Sequence, residues 1–414
     1  MNAFTYREQA LYCEGVALAE IAARVGTPCY VYSSATILAN FRAYDESFGG
    51  MPHTICYAVK ANGNLAVLRL LAEAGAGFDI VSGGELFRVL KAGGEPGRVV
   101  FSGVGKTAAE IDDALAAGIF NFNCESEPEL ALVDALAHRR GAKARVALRV
   151  NPDVETDTHD YISTGNLAHK FGVDIANAES IYQRARKHEN LLLEGVSCHI
   201  GSLLLDPKPL MEAVDRVLSL IDKLRANGFQ IRHADLGGGL GVAYKPGETT
   251  PSIAEFVKCL RQRLAGRDLH VVLEPGRSIV AAAGVLLTKT LYRKKTGDKD
   301  FVIIDAAMND LIRPALYNAH HEILPVRQNN SSRIRADVVG PVCETGDFLA
   351  RDREMPEVMP GDVLAISTAG AYGFVQASTY NARRRPAEVM VDGDLWRVVR
   401  ERESYEDLIH GETI

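Results

Sequence analysis

The sequence predicts an α/β protein with a (β/α)8 barrel of the TIM type and a second, antiparallel β-sandwich or β-barrel domain. The chain has 414 residues, more than one ordinary domain holds. Short β-branched runs alternate with helical stretches from residue 54 to residue 277, and this alternation fades after residue 284. Hydrophobic residues make up 47% and charged residues 24%, the balance of a globular protein, and the net charge of −7 argues against general nucleic-acid binding.

Eight short apolar runs in the first part of the chain are predicted as parallel strands. They are Thr54–Lys60, Gly77–Ser82, Arg98–Ser102, Phe120–Cys124, Arg145–Asn151, Gly195–His199, His233–Gly237 and Leu269–Glu274. The segments between them have helical spacing, as in Leu65–Ala74, Gly84–Ala92, Glu127–Arg140 and Pro209–Ala226. Eight strand–helix units in about 230 residues fit a closed barrel, and a doubly wound open sheet is the alternative.

Runs rich in valine, isoleucine and threonine after residue 284 are predicted as antiparallel strands. They are Val285–Arg293, Phe301–Ile304, Ala336–Val342, Asp362–Ser367 and Glu388–Val391. Asp392-Gly393-Asp394 before Leu395–Arg400 indicates a hairpin. Pro28–Tyr32 can add an N-terminal strand to the same domain. We therefore expect residues 34–283 to form the barrel, and residues 1–33 together with 284–414 to form the β domain.

The cysteines and the N-terminus favour a cytoplasmic protein. The N-terminal segment lacks the apolar core of a signal peptide, and the longest apolar stretch, Ser278–Leu287, is too short to cross a bilayer. Seven dispersed cysteines show neither a C-x-x-C pair nor metal-ligand spacing, which predicts reduced thiols that mostly pack in the core and no metal site. They are Cys13, Cys29, Cys56, Cys124, Cys198, Cys259 and Cys343.

One connection in the predicted barrel is long. About 20 residues separate the fifth strand from the helix near Ile175, with the sequence NPDVETDTHDYISTGNLAHKFG. Loops of this length are often lids over active sites. We expect a lid here.

Polar side chains stand where the predicted strands end. A barrel enzyme carries out its chemistry at the rim, the face formed by the carboxyl ends of the barrel strands. The side chains expected there are Lys60, Asn62, Asp79, Ser82, Asn123, Glu125, Arg149, Asn151, His199, Ser202, Glu274 and Arg277. The sequence therefore predicts an active site at this rim.

Three features of the rim together predict pyridoxal 5'-phosphate as the cofactor. Gly237-Gly238-Gly239-Leu240-Gly241 can present backbone N–H groups, and a following helix start, to a phosphate, although a plain tight turn is the alternative. Lys60, if burial keeps its amine neutral, can form a Schiff base, unless it is a surface lysine. Glu274 can pair with the pyridine nitrogen. His199 is expected flat against the ring, or else is an ordinary hydrogen-bonded histidine.

The order of the motifs resembles one enzyme family. Beside YAVKANGN, HIGS and DLGGGLG, the chain carries EPGRSIV, GPVCETGD and GAYGFVQASTYNARRRPAEV. From about residue 28 to residue 400 the sequence resembles the fold-type III pyridoxal-phosphate decarboxylases, and GPVCETGD together with GAYG is the specific part. It departs from the family pattern at Leu203, after HIGS, and at Ala168 and His169 in the long loop.

The resemblance implies roles for the residues of these motifs. It implies that Lys60 is the Schiff-base lysine and that Cys343 is the proton donor, with Lys60, His199 and Cys343 as the catalytic residues. The residues implied to contact the cofactor are Lys60, His199, Ser202, Gly237, Gly238, Gly239, Glu274, Pro275, Gly276, Arg277 and Tyr372. Those implied to bind substrate are Arg277, Arg313 and Tyr317 for the carboxylates, Glu344 for the distal ammonium, and Tyr372.

General chemistry agrees with these implied roles. Arginine donates two parallel hydrogen bonds to a carboxylate, and a carboxylate side chain matches an ammonium group. A thiol beside a carboxylate keeps its proton, because the negative neighbour disfavours the thiolate, and this suits Cys343 next to Glu344 as an acid. Taken singly, Arg313 before Pro314 is equally compatible with a surface loop, and Tyr317 and Tyr372 with packing aromatics.

The resemblance further implies an activity and an assembly. The expected reaction is the decarboxylation of meso-2,6-diaminopimelate to L-lysine, the last step of lysine biosynthesis, in a homodimer whose second subunit supplies Cys343 and Glu344. The partners expected are this small amino acid and a second copy of the chain, with no membrane and no nucleic acid. The alternatives are a sister decarboxylase acting on ornithine, arginine or carboxynorspermidine, a racemase, which Glu274 disfavours, and a non-catalytic relative.

Overall fold

The structure is a computed structural model that describes residues 3–154, 170–199, 201–328 and 331–414. The chain divides into two compact units. The barrel unit comprises Asn40–Val242 and Thr249–Ser278, and the β unit comprises Met1–Ala39, Ala243–Glu248 and Ile279–Ile414.

Strands and helices follow one another along most of the chain. The strands are β1 (Phe4–Arg7), β2 (Ala10–Cys13), β3 (Val16–Ala17), β4 (Cys29–Ser33), β5 (His53–Ala58), β6 (Gly77–Ile80), β7 (Val99–Phe101), β8 (Asn121–Cys124), β9 (Ala144–Asn151), β10 (Val173–Asp174), β11 (Leu191–Cys198), β12 (His233–Asp235), β13 (His270–Leu273), β14 (Gly284–Thr296), β15 (Lys299–Ile304), β16 (Ile323–Pro325), β17 (Arg333–Val339), β18 (Phe348–Pro356), β19 (Val363–Ile366), β20 (Ala387–Asp392) and β21 (Leu395–Arg400). The α-helices are α1 (Leu18–Val25), α2 (Ser34–Ser47), α3 (Leu65–Glu73), α4 (Gly83–Lys91), α5 (Ala108–Ala117), α6 (Glu127–Arg139), α7 (Ile175–Ala185), α8 (Lys208–Ala226), α9 (Ile253–Leu264), α10 (Arg277–Val280), α11 (Arg313–Tyr317) and α12 (Tyr405–Leu408). Short 3-10 turns cover Val59–Ala61, Pro96–Arg98, Ala281–Ala283, Phe374–Gln376 and Tyr380–Ala382.

Parallel strands close into a ring in the barrel unit. Their order is β5-β6-β7-β8-β9-β11-β12-β13, and β13 pairs back with β5, Val271 lying opposite His53. The short strand β10 pairs with β9. The closed ring confirms the predicted barrel and excludes the doubly wound open sheet.

The helices around the ring begin at side-chain caps, as their sequences lead one to expect. The hydroxyl groups of Ser82, Thr107 and Ser126 accept the backbone N–H groups of Glu85, Glu110 and Glu129 at the starts of α4, α5 and α6. Helix α8 confirms its predicted spacing, because its apolar side chains are buried. These side chains are Leu210, Val214, Val217, Leu218 and Ile221.

The predicted strand Thr54–Lys60 is wrong at its carboxyl end. Strand β5 stops at Ala58, and Lys60 lies in the 3-10 turn that follows. The reason is local, since Asn62 Oδ1 accepts the backbone N–H of Asn64 (3.0 Å) and Asn64 in turn caps helix α3. Side-chain hydrogen bonds of this kind end a strand where hydrophobicity alone would extend it.

The β unit is organised around strand β14. One sheet has the order β18-β17-β15-β14-β4-β20-β21, and β19 pairs with both β14 and β16. The predicted N-terminal strand is confirmed as β4, which lies between β14 and β20. The predicted hairpin is also confirmed, with Asp392 opposite Leu395 and Gly393 at φ +60° in its turn.

The β unit departs from the prediction in two respects. Most pairs are antiparallel, but β4–β20 and β15–β17 are parallel. Sequence reasoning also missed the small sheet β1-β2-β3 and strand β18, whose charged, outward-facing residues interrupt its apolar ones. Buried apolar side chains from β1 to β4 and from β14, β19 and β20 form one core, which includes Leu11, Cys29, Val31, Leu287 and Val389.

The cysteines and the apolar stretches behave largely as their sequence pattern predicts. All seven cysteines are free thiols, and Cys343 is the exposed one. Among the described residues, no helix is both long and apolar enough to cross a bilayer. The predicted lid falls mainly on residues 155–169, which lie outside the described residues, as do Ala168 and His169.

His233 is a buried histidine at the start of β12. A Cβ atom built on Gly195 in β11 would lie 2.0 Å from its Nε2 atom, so the imidazole occupies the space that glycine leaves. Phe120 packs against the ring, with the centroids 5.2 Å apart. Within the described ranges, Nε2 has no hydrogen-bond partner. Burial, with smaller effects from His270 and Arg145, lowers the pKa of His233 to about 4.

This lowered pKa predicts that acid weakens the fold. Between about pH 6.5 and pH 4 the unfolded chain binds a proton at His233 that the folded chain does not. The free energy of unfolding should therefore rise with pH in this window, by up to about 1.4 kcal/mol per pH unit from this group. His233→Gln should reduce that slope in denaturant unfolding followed by circular dichroism. His138→Gln, at an exposed position in α6, should not. Equal slopes in wild type and His233→Gln would contradict the assignment.

Candidate active site

Lys60 stands at the rim beside a buried acid. Its Nζ atom pairs with Oδ2 of Asp79, the penultimate residue of β6. The Asp79 side chain is fully buried, and the Lys60 side chain is about a third exposed, at 33%. The sequence led us to expect a lysine desolvated by apolar surroundings, but a carboxylate accompanies it.

Glu274 follows β13 and sits in a buried polar cluster. Its Oε1 atom accepts hydrogen bonds from Ser102 Oγ (3.0 Å) and Asn123 Nδ2 (3.2 Å). Asn123 also donates to Oδ2 of Asp235 (2.7 Å), which ends β12. Burial, together with Asp235 and Asp79, raises the pKa of Glu274 well above its usual range, and burial likewise raises the pKa of Asp235.

The glycine run presents backbone N–H groups at the same rim. Gly237 and Gly239 have φ values of +65° and +104°, which only glycine adopts without strain. The amides of Gly237 and Gly238 donate to Asp235 and His199, and that of Gly241 to Leu204. Among the described residues, no protein acceptor faces the amides of Gly239 and Leu240, so both are available to an anion.

The expected helix start after the glycine run is wrong. Residues 242–252 contain neither helix nor strand, and α9 begins only at Ile253. The reason lies in the residues themselves, since Pro246, Gly247 and Pro251 disfavour a helix. Any phosphate held here is bound by loop amides without the pole of a long helix.

His199 is a neutral imidazole in this structure. Its Nδ1 atom accepts the N–H of Gly238 (3.3 Å), so the ring proton belongs on Nε2. Burial, with Arg149 and Lys60 nearby, lowers the pKa of His199 well below its usual value. A neutral ring is suited to stacking on an aromatic cofactor.

The remaining predicted cofactor residues of the barrel unit lie close to these. Arg277 Nη2 donates to Ser202 Oγ (3.5 Å), across 75 residues of sequence. A Cβ atom on Gly276 would meet that of Ala61 at 2.9 Å, so the EPGR segment packs on the turn that carries Lys60. A Cβ atom on Gly238 would lie 2.5 Å from the backbone oxygen of Glu274.

A second buried ion pair lies at the ends of β8 and β9. Arg149 Nη1 donates to Glu125 Oε1 (2.7 Å), and both side chains are less than a tenth exposed. The other oxygen of Glu125 accepts the N–H of Gly172 (2.6 Å). Glu125 therefore connects the strand ends to Gly172, the last residue of the long loop.

Arg313 begins α11 in the β unit and is buried rather than part of a surface loop. Its Nη1 atom bonds to Nε2 of His321 (2.7 Å), and the guanidinium lies over the ring of Tyr244, 4.4 Å from the centroid. His321 Nδ1 in turn donates to the carbonyl of Ser367 (2.8 Å), which fixes the histidine tautomer. Tyr317 ends the same helix and is partly exposed.

Cys343 and Glu344 lie on an exposed loop of the β unit that Asp347 shapes. Asp347 accepts the backbone N–H groups of Met308 and Val342, at 2.7 Å each. The N–H of Cys343 donates to Asn381 Oδ1 (2.7 Å), and the hydroxyl of Tyr380 donates to Glu344 (3.3 Å). These hydrogen bonds hold the backbone of the loop, and Cys343 and Glu344 are both exposed.

Tyr372 lies in the left-handed region, at φ +54°. This conformation is uncommon for a residue other than glycine, asparagine or aspartate. Such strain is held where the surrounding structure requires it, often at functional sites. The side chain is partly buried.

Comparison with known proteins identifies the family. A family model described as "Pyridoxal-dependent decarboxylase, pyridoxal binding domain" matches residues 34–281. The chain belongs to the pyridoxal-dependent decarboxylase family. Over its whole length it is 55% identical to a diaminopimelate decarboxylase of Pseudomonas aeruginosa, covering 99% of that protein. It is also 53% identical to the diaminopimelate decarboxylase of Vibrio cholerae, over 99% of this chain and 98% of that one.

Solved structures of diaminopimelate decarboxylases have the same fold. The enzyme of Helicobacter pylori, complexed with L-lysine, superposes with a TM-score of 0.91 at 44% identity, over 95% of this chain and 98% of that one. The enzyme of M. jannaschii, in complex with L-lysine, superposes with a TM-score of 0.95 at 38% identity, over 100% of this chain and 98% of that one.

The barrel unit fits pyridoxal phosphate, the cofactor of this family. The rim offers an amine at Lys60, available loop amides at Gly239 and Leu240, and a buried carboxyl group at Glu274. Gly238 leaves no room for a Cβ atom beside Glu274, so the loop and the acid are held together. Pyridoxal phosphate requires an amine for its aldehyde, an anchor for its phosphate and a partner for its ring nitrogen, and these groups fit the three requirements.

Sequence reasoning missed several residues that support the predicted site residues within each unit. Asp235 lay within the predicted strand His233–Gly237 but received no role, and Ser102 was named only as the end of another strand. Asp347 closes the motif that carries Cys343, and His321 had no signal beyond its neighbour His320. A polar residue at a strand end next to a glycine run was the available clue for Asp235.

Gly238→Ala should weaken cofactor binding. The added Cβ would collide with the backbone at Glu274, and overpacking of about 1–3 kcal/mol corresponds to a loss of about 5- to 150-fold in affinity. Titration of the cofactor-free protein with pyridoxal phosphate, followed by absorbance, measures this. Gly84→Ala is the matched control, because its Cβ meets only Ser82 Oγ at 3.7 Å. An unchanged affinity in Gly238→Ala would contradict the inference that close packing of Gly238 against Glu274 is needed to bind the cofactor.

Proposed function

We propose that the chain removes CO2 from meso-2,6-diaminopimelate and releases L-lysine, the last step of lysine biosynthesis. The observation that carries this proposal is the identity of 53–55% over essentially the whole chain with diaminopimelate decarboxylases. The rim described above supplies what the reaction needs from the protein. Bound pyridoxal phosphate serves as the electron sink for the electron pair that remains when CO2 leaves.

Lys60, His199 and Glu274 are the residues that we assign to the reactive part of the cofactor. Lys60 supplies the amine that links the chain covalently to the cofactor aldehyde. Glu274 would pair with the protonated ring nitrogen, and neutral His199 would pack against the ring. Gly237, Gly238, Gly239 and Ser202, with Pro275, Gly276 and Arg277, hold the rest of the cofactor.

The charge pattern of the substrate matches the other assigned side chains. Diaminopimelate carries two carboxylates and two ammonium groups. Arg277, Arg313 and Tyr317 bind the carboxylates, and the buried guanidinium of Arg313 has its direction set by His321. Glu344 binds the distal ammonium, which distinguishes this substrate from shorter amino acids, and Tyr372 contacts substrate and phosphate.

Cys343 is the proton donor to the carbon that loses CO2. Its thiol is exposed on a loop whose backbone is fixed by Asn381 and Asp347. The proposal assigns Cys343 and Glu344 to the active site of the partner subunit, so the functional unit is a homodimer.

The domain boundaries and the compartment are part of the proposal. We assign residues 34–283 to the cofactor-binding barrel, and residues 1–33 with 284–414 to the β domain. The free thiols support a reducing compartment, and we assign the protein to the cytoplasm.

The activity is tested by CO2 release with a panel of amino acids. We expect release from meso-2,6-diaminopimelate, with lysine as the product, and little from ornithine, arginine or carboxynorspermidine. Lys60→Ala should lose both turnover and the absorbance of the covalently bound cofactor, because no other assigned side chain offers an amine. Lys91→Ala, on helix α4, is the control and should keep both. Preference for another member of the panel would overturn the substrate assignment.

The shared active site is tested by mixing two inactive variants. Cys343→Ala should retain the cofactor absorbance but lose about 10²–10⁴-fold in turnover, as expected for a general acid. Mixed dimers of Lys60→Ala and Cys343→Ala contain one intact site if Cys343 acts in the partner's site. Random mixing should then restore about a quarter of wild-type activity. No recovery in verified mixed dimers would place Cys343 in its own subunit's site or outside the mechanism.

A further inference from the structure

Asp235 and Glu274 are two buried acids side by side in the barrel unit. Asp235 is 1% exposed and Glu274 7%. They lie at the ends of the neighbouring strands β12 and β13, whose register places Asp235 opposite Val272. A single nitrogen atom, Nδ2 of Asn123, lies within hydrogen-bond distance of both carboxyl groups. Two ionised carboxylates held this close repel each other, and one proton shared between them removes that repulsion.

The surrounding donors are too few to hold two negative charges. Asn123 Nδ2 donates to Asp235 Oδ2 (2.7 Å) and to Glu274 Oε1 (3.2 Å) from one amide group. Ser102 Oγ adds one bond to Glu274 (3.0 Å), and the N–H of Gly237 adds one to Asp235 Oδ1 (2.9 Å). All of these donors are neutral, and two carboxylates in such a site would leave two buried charges without a cation.

The charged groups around the pair have partners of their own. In the part of the chain that the structure describes, neither Asp235 nor Glu274 forms an ion pair with a lysine, arginine or histidine. Lys60 pairs with Asp79, whose negative charge adds to that of the pair. Burial raises the pKa of the buried thiols Cys56 and Cys198, to about 12 for Cys198, so neither adds a negative charge.

We propose that Asp235 is a positioning residue that shares one proton with Glu274 in the cofactor-free chain, and that the pair gives this proton to the ring nitrogen when the cofactor binds. The inference rests on the proposed cofactor role of Glu274. One O–H bond of the pair breaks and one N–H bond forms on the nitrogen lone pair, so no other reactant is needed. Both acids are then ionised, and the cationic ring compensates the second charge.

This role gives Asp235 two connected tasks. Its Oδ1 atom fixes the amide of Gly237 at the start of the glycine run, and its Oδ2 atom shares Asn123 with Glu274. The raised pKa of Glu274, which burial causes first and Asp235 second, agrees with a proton held in the cofactor-free state. The phosphate loop and the ring-nitrogen partner are thereby coupled through one side chain.

The test counts the protons that accompany cofactor binding. Calorimetric titration of the cofactor-free protein with pyridoxal phosphate, in buffers of different ionisation enthalpy at one pH, gives this count. In Asp235→Asn the amide donates to Glu274 and favours its ionised form, so the ring proton must come from solution. We expect this variant to take up about one proton more per chain than wild type.

Ser102→Ala is the matched control. It removes a donor to the same oxygen of Glu274 without changing the number of acids. We expect weaker cofactor binding in this variant but the wild-type proton count. An equal count in wild type and Asp235→Asn would overturn the proposal, as would a changed count in Ser102→Ala.

Infrared spectroscopy of the cofactor-free chain keeps the proposal testable if Asp235→Asn does not fold or if wild type binds no cofactor. Wild type should show the carbonyl stretch of one protonated carboxylic acid that Glu274→Gln lacks. Absence of this band, or its persistence in Glu274→Gln, would end the inference. A wild type that shows the band but fails to bind pyridoxal phosphate would instead contradict the proposed function alone.

Discussion

The barrel rim depends on the compensation of buried negative charge. Asp79, Asp235 and Glu274 all lie inside the barrel unit, and Lys60 forms an ion pair with Asp79. Each acid lies at or next to the carboxyl end of a different strand, so the closed ring of strands brings together groups that the sequence separates by up to 195 residues. A site with this excess of acid is complementary to a cationic ring.

The fold holds these acids at the cost of stability, as functional sites commonly do. A buried carboxyl group without a cation raises the free energy of the folded chain, and only hydrogen bonds or a proton offset this. The neutral donors Ser102 and Asn123 provide the hydrogen bonds. The glycine run fixes the position of Glu274, because Gly238 packs against the backbone of Glu274 with no room for a Cβ atom between them. Cofactor binding and folding are therefore coupled through the same side chains.

Much of the fold was predictable from the sequence, and parts of the site were not. The barrel followed from the alternation of strands and helices, and the hairpin at Gly393 from its turn residues, because both signals are local. The end of β5 at Ala58 was missed, since Asn62 and Asn64 terminate the strand through side-chain bonds that hydrophobicity does not record. Lys60 and Glu274 could be named because their chemistry is distinctive. Asp235 and His321 act only through other side chains, and such roles become visible when their partners are located.

The position of the ring-nitrogen acid also constrains the chemistry. A carboxylate beside the ring nitrogen keeps that nitrogen protonated only if the carboxylate binds a proton less tightly than the nitrogen does. It must still bind a proton more tightly than water does. Burial alone would leave Glu274 neutral and unable to compensate a cation, whereas full solvation would screen its charge. A second acid that shares the proton meets both requirements. The pair can give its one proton to the ring, and the two negative charges that remain then compensate the cation. Asp235 and Glu274 can act as such a pair because they lie at the ends of neighbouring strands and because Asn123 donates a hydrogen bond to each of them.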